Sequence, residues 1–89
     1  MIKIVKAEYI ERKVIRLWFS DQSFGDYDLQ GLLDKRTELL IPLQDDNYFK
    51  QFYLELGALC WKNGLELSPA NIHIKLKQQG KLQFDLKAA

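Results

Sequence analysis

The sequence predicts a small α+β domain, in which hairpins build an antiparallel β-sheet and one or two short helices pack on one face. The 89 residues suffice for a single domain over residues 1–89, and 47% of them are hydrophobic, enough for a modest core. Apolar and polar residues alternate with a period of two in several short runs, as in strands with one buried face. Turn residues separate these runs, and no linker divides the chain.

The first third of the chain predicts a three-stranded antiparallel meander, with strands at residues 2–9, 14–20 and 24–29. Within the second strand, alternate residues share a face: Ile15, Leu17 and Phe19 on one side, and Val14, Arg16 and Trp18 on the other. We expect Leu17 to pair with Tyr27. That register would place Arg16 opposite Asp28 in an opposite-charge pair.

Two short helices are predicted in the middle of the chain. The leucines within residues 29–33 have the spacing of one helical turn with an apolar side. Asp45 or Asp46 would cap a second helix that runs to about residue 51, because a carboxylate at a helix start accepts hydrogen bonds from the free N–H groups there. We expect this helix to direct Phe49 and Phe52 towards the core.

A second pair of hairpins is predicted between residues 53 and 67. Gly57 separates two strands at residues 53–56 and 58–62. Asn63-Gly64 is the preferred pair for a two-residue type I′ turn, in which both central residues have positive φ. This turn would pair Trp61 with Glu66.

The tail, residues 71–89, is predicted to form a C-terminal hairpin. Apolar residues alternate with polar ones on both sides of a turn that contains Gly80; they are Ile72, Ile74 and Leu76 before it, and Leu82, Phe84 and Leu86 after it. A helix is the alternative, because Ser68-Pro69 suits the N-cap and first position of one.

Catalytic and metal-binding patterns are nearly absent from the sequence. His73 is the one histidine, and no second histidine or cysteine lies at ligand spacing. Cys60 lies in an apolar run and is expected in the core, where a reactive thiolate is not favoured. We therefore expect no catalytic residues, no metal site and no cofactor, and a protein that is not an enzyme.

Asp26 and Asp28 leave one metal-dependent alternative open. They share a face at positions i and i+2 of the third strand, but a hard divalent cation needs several converging oxygen ligands. Simple outward exposure of the two carboxylates is the favoured interpretation.

Cysteine usage and hydropathy bear on location. One cysteine suits a reducing compartment, and no apolar run approaches the ~20 residues needed to cross a bilayer. The first residues lack the apolar stretch of a signal peptide. We expect a cytoplasmic protein with no membrane partner.

Four residues are candidates for partner contact: Trp18, Trp61, Asp26 and Asp28. Most other aromatic side chains are expected in the core, whereas a tryptophan with an exposed ring would be a candidate anchor for a partner. Residues 20–46 carry seven acidic side chains against two basic ones, a surface that would suit a basic partner. The net charge of +1 argues against general nucleic-acid binding.

Four ordered pieces of the sequence resemble those of one bacterial family. They are Phe19-Ser20-Asp21, Asp28-Leu29, the run from Leu43 through Asp45 to Phe49, and the run from Trp61 through Asn63-Gly64 to Pro69. Through these pieces, residues 2–70 resemble the bacterial family called domain of unknown function 2442. Gln22 stands where the family usually has a turn glycine. The family also continues into a short helix after the proline, where this tail alternates like strands.

The resemblance implies a function without known chemistry. Members of the family have no established activity, and some lie beside small partner genes in arrangements similar to toxin–antitoxin pairs. We therefore expect a non-enzymatic protein-interaction module, antitoxin-like, that binds a small partner protein and forms a homodimer through an edge strand. The alternatives are a nucleic-acid-associated accessory domain that uses the basic terminal segments and, less favoured, an acidic-site metal-dependent enzyme.

Overall fold

Two antiparallel sheets and three short α-helices make up residues 1–84, which a computed structural model describes. In chain order the elements are β1 (Ile4–Glu11), β2 (Val14–Phe19), β3 (Ser23–Asp28), α1 (Gln30–Leu33), a 3-10 helix (Ile41–Gln44), α2 (Asp46–Phe49), β4 (Tyr53–Glu55), β5 (Ala58–Cys60), β6 (Glu66–Leu67), α3 (Pro69–Gln78) and β7 (Gln83–Phe84). The predicted α+β class with antiparallel pairing is confirmed. The strands form two sheets, of order β1-β2-β3-β7 and β4-β5-β6.

The meander of β1, β2 and β3 is confirmed, but the predicted register of β2 against β3 is wrong by two residues. Leu17 pairs with Gly25, and Arg16 pairs with Asp26. The cause is the position of the three-residue loop, which covers residues 20–22 instead of 21–23; in it the Gln22 N–H donates to the Phe19 carbonyl at 3.1 Å and Gln22 itself has a φ of 70°. A left-handed residue after a type I turn closes a hairpin tightly, even without the expected glycine.

The two predicted short helices in the middle of the chain are confirmed. α1 covers Gln30–Leu33, and Leu33 is fully buried. Asp45 is the N-cap of α2, since its side chain accepts a hydrogen bond from the Tyr48 N–H at 3.3 Å. Phe49, at the end of α2, has no exposed surface. The Asp45 cap therefore fixes the start of α2, and Phe49 at the end of this helix packs in the core.

The second sheet confirms one predicted hairpin and corrects the other. At the β4–β5 connection both central residues have positive φ, 51° for Leu56 and 84° for Gly57, as a type I′ turn requires. The expected type I′ turn at Asn63-Gly64 is wrong, because Asn63 keeps a negative φ and only Gly64, at 95°, is left-handed. Residues 62–64 form a three-residue loop instead, and Cys60 rather than Trp61 pairs with Glu66.

The predicted C-terminal hairpin is wrong in its first half, which is the helix α3. Ser68 caps it by accepting from the Asn71 N–H at 3.3 Å, and Pro69 takes the first position. Ile72 and Leu76 lie one turn apart and are buried, whereas Ile74 between them is 52% exposed. Four-residue spacing of buried groups therefore wins over the period-two pattern. The family resemblance had implied a helix at this place.

After α3 the chain turns back to the first sheet. Gly80 has a φ of 68°, and the Lys81 N–H donates to the Leu76 carbonyl at 2.9 Å, an arrangement that ends helices. β7 then pairs with β3, with Phe24 opposite Gln83. The second half of the expected hairpin is thus a strand of the first sheet as far as residue 84, and its remainder, including Leu86, lies outside the described residues.

One hydrophobic core joins the two sheets and the helices. The Ile4 N–H donates to the Gly57 carbonyl at 2.9 Å, which ties β1 to the β4–β5 turn. The buried cluster draws on almost every element; it contains Ile4, Ile15, Leu17, Phe19, Tyr27, Leu29, Leu33, Leu40, Leu43, Phe49, Leu59, Trp61, Ile72 and Leu76. The first sheet contributes one face to this core, which leaves its other face towards solvent.

Candidate interaction face

The solvent-side face of the first sheet, here called the outer face, collects half-buried aromatic and charged side chains of β2 and β3 and exposed charged side chains of β1. The alternating burial of β2 and β3 places every second residue on it. Strand pairing orders these residues into two rows: Lys6, Trp18 and Phe24 in one, and Glu8, Arg16 and Asp26 in the next. An aromatic row therefore lies directly beside a charged row.

The aromatic row is a stack of two rings with a cation above one of them. Trp18 and Phe24 have ring centroids 6.3 Å apart and planes tilted by 22°. The Nζ of Lys6 lies 4.6 Å from the centroid of the Trp18 ring, a cation–π distance. Both rings are half-buried. This row is an apolar patch in which the two rings support each other.

The charged row is built around a bidentate ion pair. The guanidinium of Arg16 donates from Nε to Asp26 Oδ1 at 2.6 Å and from Nη2 to Oδ2 at 3.1 Å. These hydrogen bonds hold the pKa of Asp26 below its ordinary value and raise the pKa of Arg16. The two side chains are about 40% exposed, at 40% and 42%. The pair therefore keeps Asp26 ionised and in place beside the rings.

The four predicted interaction residues are not all brought together. Trp18 and Asp26 lie in adjacent rows of the outer face, and Asp28 lies at the exposed end of β3, where it accepts from the Gln30 N–H at 2.9 Å. Trp61 is 1% exposed, and its Nε1 donates to the Phe49 carbonyl at 2.9 Å. Trp61 was a candidate only on the condition that its ring is exposed. Since the ring is buried, Trp61 is a core residue rather than a surface anchor.

Four residues of the two rows were missing from the predicted set: Phe24, Arg16, Lys6 and Glu8. Phe24 was expected in the core with most other aromatics, although it shares the parity of Asp26 and Asp28 along one strand, and that parity was the available signal. Lys6 and Glu8 join the face through the pairing of β1 with β2. Single-strand patterns do not reveal such neighbours across strands.

The acidic middle segment is largely used within the chain. Six of its seven carboxylates bind a local partner; they are Asp21, Asp26, Asp28, Asp34, Asp45 and Asp46, paired with Ser23, Arg16, Gln30, Gln30, Tyr48 and Lys13 respectively. These contacts cap turns and helices or pair with a cation. Two of them, Asp26 and Asp46, are paired with a cation, so the segment presents less uncompensated negative charge to a basic partner than its composition suggested.

His73 is tied to the β2–β3 loop through Asp21. The Nε2 of His73 lies 2.9 Å from Asp21 Oδ2, and its ring packs edge-on against Phe19 at 5.0 Å between centroids. Asp21 Oδ1 accepts from the backbone N–H of Ser23 at 3.0 Å and also from the Ser23 hydroxyl. Since Ser23 and His73 both bind the carboxylate, the arrangement lacks the serine–histidine bond that nucleophile activation requires. It fastens α3 to the sheet.

We expect Asp21→Asn to flatten the acid limb of the stability curve. Burial alone would raise the pKa of Asp21, but the hydrogen bonds from Ser23 and His73 outweigh it and hold the pKa below the ordinary 3.8. The ionised carboxylate therefore stabilises the fold above about pH 4, and this contribution is lost as the pH falls through the lower folded-state pKa. Melting temperatures measured between about pH 7 and pH 2 should fall less steeply for the variant.

The exposed carboxylate of Glu38 provides the control for this experiment. Glu38→Gln removes the same charge from the same segment without changing the Asp21–His73 contact that holds α3 against the sheet. Its acid limb should follow that of the wild type. Superimposable curves for Asp21→Asn and the wild type would show that the contacts of Asp21 with Ser23 and His73 contribute no pH-dependent stability.

Three other features considered in the sequence concern the cysteine, metal-binding groups and the length of the helices. Cys60 is 4% exposed, and its burial raises the pKa of the thiol, so a thiolate is disfavoured there. Within residues 1–84 no group of three or more histidine, cysteine or acidic residues is arranged to hold a metal ion. The longest helix of the described part, α3, has ten residues, and none there has the length and apolarity to cross a membrane.

Comparison with known proteins leaves the family resemblance a prediction. No family model matches the chain, no curated protein is significantly similar to it in sequence, and no solved structure matches it in fold. The outer face is therefore interpreted from its own geometry.

Proposed function

We propose that this protein is a non-enzymatic protein-interaction module, and that the outer face of its first sheet is the docking surface. The partner is a small protein that places an apolar side chain on the Trp18–Phe24 stack and polar groups around it. An antitoxin-like role, in which the module covers the working surface of its partner, is the specific form that the family resemblance suggests.

The stacked Trp18–Phe24 pair on an open sheet face carries this proposal. Binding surfaces concentrate their affinity in a few rigid aromatic residues surrounded by polar groups. Here the rings are held in place by stacking on each other and by Lys6, and the Arg16–Asp26 pair forms a polar border next to them. Little side-chain freedom is left to lose on binding, which favours affinity.

The charges of the outer face favour a protein over a nucleic acid. Its two rows contain two cations, Lys6 and Arg16, and two anions, Glu8 and Asp26. A backbone of phosphates needs an excess of positive charge, and Arg16 already satisfies Asp26. The rings alone could stack on bases, so nucleic acid is kept as an outcome of the test. Self-association through an edge strand uses the backbone edge of β1; it shares the Lys6 and Glu8 side chains with this face but does not use the Trp18–Phe24 stack.

Affinity purification of the chain from its native host, as wild type and as two variants, tests the proposal. Trp18→Ala removes the larger ring of the stack. Ile74→Ala is the matched control, since Ile74 is an exposed apolar residue on α3 at 52% exposure. We expect the wild type and Ile74→Ala to recover the same small protein in stoichiometric amount, and Trp18→Ala to lose it.

Calorimetric titration of the recovered protein then gives the size of the effect. An anchor tryptophan costs about 2 kcal/mol or more when truncated, which is a loss of roughly thirtyfold in affinity. Equal affinity for Trp18→Ala and the wild type would exclude the outer face as the docking surface. Recovery of nuclease-sensitive material with salt-dependent binding would replace the proposal by the nucleic-acid function.

A further inference from the structure

The outer edge of β1 has backbone groups available for another strand. Within residues 1–84, β1 is the first strand in the order β1-β2-β3-β7 and pairs with β2 on one side only, whereas β7 covers the far side of β3. At its start, the Ile4 N–H is used by the Gly57 carbonyl. Beyond that bond, a row of unpaired N–H and C=O groups at a sheet edge is a template for strand addition.

Along a β-strand, the backbone N–H and C=O groups of successive residues point alternately to the two edges. One observed hydrogen bond therefore identifies which residues of β1 direct these groups outwards. The Ser20 N–H donates to the Lys3 carbonyl at 2.8 Å, so the even-numbered residues at this end of the β2 hairpin bond towards β1. Lys6 and Glu8, opposite Trp18 and Arg16, accordingly direct their backbone groups to β2. Ala7 and Tyr9 then direct theirs to the open edge.

The charges along β1 select one partner and one register, namely a second copy paired antiparallel about Ala7. In an antiparallel pair, residues that lie opposite each other have their side chains on the same face of the sheet. In a symmetric dimer whose two-fold axis is normal to the sheet, one residue of β1 must therefore lie opposite its own copy, and the axis passes beside that residue. With the axis at Ala7, Lys6 lies opposite Glu8 of the second copy, and the reverse pair forms by symmetry. An axis at Lys6 or at Glu8 would instead bring identical charges face to face.

The two charged side chains are exposed enough to exchange partners. Within one chain Lys6 Nζ lies 3.8 Å from Glu8 Oε2 and 4.6 Å from the centroid of the Trp18 ring, yet the two side chains are 63% and 58% exposed. Exposed ion pairs contribute little stability, so pairs between two copies can replace this one. The ionic side chains of β1 are thus complementary to themselves in this alignment.

We infer that the chain forms a symmetric dimer by antiparallel pairing of β1 with β1 of a second copy, centred on Ala7. The product is a continuous eight-stranded sheet whose two outer faces lie on the same side. The dimer forms without any other protein. It rests on the proposed function in one respect only: it would present two Trp18–Phe24 stacks to a target that has two binding sites. Bulges between Ile4 and Lys6 and between Tyr9 and Glu11 keep the regular segment short, so the dimer is weak.

Sedimentation velocity over a concentration series tests this inference with a charge reversal and its compensation. Glu8→Lys places like charges opposite each other at both symmetric pairs, and we expect it to weaken the dimer about tenfold or more. The double variant Lys6→Glu, Glu8→Lys restores opposite charges and should recover the wild-type dissociation constant to within about threefold. High salt should weaken the wild-type dimer.

Amide hydrogen exchange gives a second readout at the residues concerned. The Ala7 and Tyr9 amides should become protected as the concentration rises, while the Lys6 and Glu8 amides, bonded to β2, should be protected at every concentration. A wild type that stays monomeric up to about 1 mM, where a complex worth about 4 kcal/mol is half formed, overturns the inference. A dimer indifferent to both charge variants would also overturn it, by placing the contact elsewhere.

The dimer and the docking face fail separately. Trp18→Ala leaves the edge of β1 intact, so it should dimerise like the wild type even where it loses the partner protein. A monomeric wild type that still binds the partner would exclude the dimer alone, and a dimer that recovers no partner would exclude the docking face alone.

Discussion

Trp61→Ala should remove about 3–5 kcal/mol from the free energy of unfolding, the usual cost of deleting a fully buried large aromatic side chain. The Trp61 ring is 1% exposed and contacts Phe49 and Phe52, at 5.9 and 6.3 Å between centroids. Its loss also leaves the Phe49 carbonyl without its hydrogen-bond donor. For a chain of 89 residues, total stability is about 4–13 kcal/mol, so the substitution should remove a large part of it. Urea denaturation followed by far-ultraviolet circular dichroism measures this loss.

The second tryptophan of the chain is the matched control. Trp18→Ala removes the same side chain from the half-buried outer face, where cross-strand contacts contribute about 1 kcal/mol. Trp61→Phe should fall between the two, because it keeps a ring in the core and loses only the hydrogen bond and part of the volume, about 1–3 kcal/mol. Equal losses at Trp18 and Trp61 would contradict the division between a core tryptophan and a surface one.

Gly25→Val should destabilise the fold by about 1–3 kcal/mol, the cost of inserting a side chain into a filled space. A Cβ at Gly25 would lie 2.8 Å from the Lys81 carbonyl oxygen and 3.3 Å from Leu76 Cδ1. Strand propensity alone predicts the opposite sign, since valine is favoured in strands and glycine is not. The sign of the change therefore reports whether the chain after α3 lies against β3. Urea denaturation measures it, and hydrogen exchange at Gln83 and Phe84 should show β7 detached first.

Gly31 supplies the control for the glycine substitution. It lies in α1, and a Cβ added there would meet no atom within 4 Å. Gly31→Ala should therefore stabilise the chain by up to about 1 kcal/mol through helix propensity. A stabilising effect of Gly25→Val of similar size would mean that the close approach of Lys81 does not exist in solution.

The candidate site could be predicted in part. Trp18 and Asp26 were recognised from residue type, and the period-two pattern placed Trp18 on the face opposite the core. The stack with Phe24 and the ion pair with Arg16 were not, because both depend on the register of β2 against β3. That register is set by the left-handed Gln22 in a three-residue loop. A glutamine carries no strong signal for that conformation, whereas glycine does.

Local sequence by itself determined the α+β class, the meander, the capped start of α2 and the Gly57 hairpin. In each of these, a short stretch contains both the hydrophobic period and the residue that turns or caps the chain. Only the tertiary structure decided the conformation of the tail and the burial of Trp61. Residues 72–76 fit both periods, and their conversion into α3 came from the Ser68 cap and from burial of Ile72 and Leu76 against the sheet. Burial beside the distant Phe49 likewise made Trp61 a core residue, because packing against remote residues outweighs local propensity.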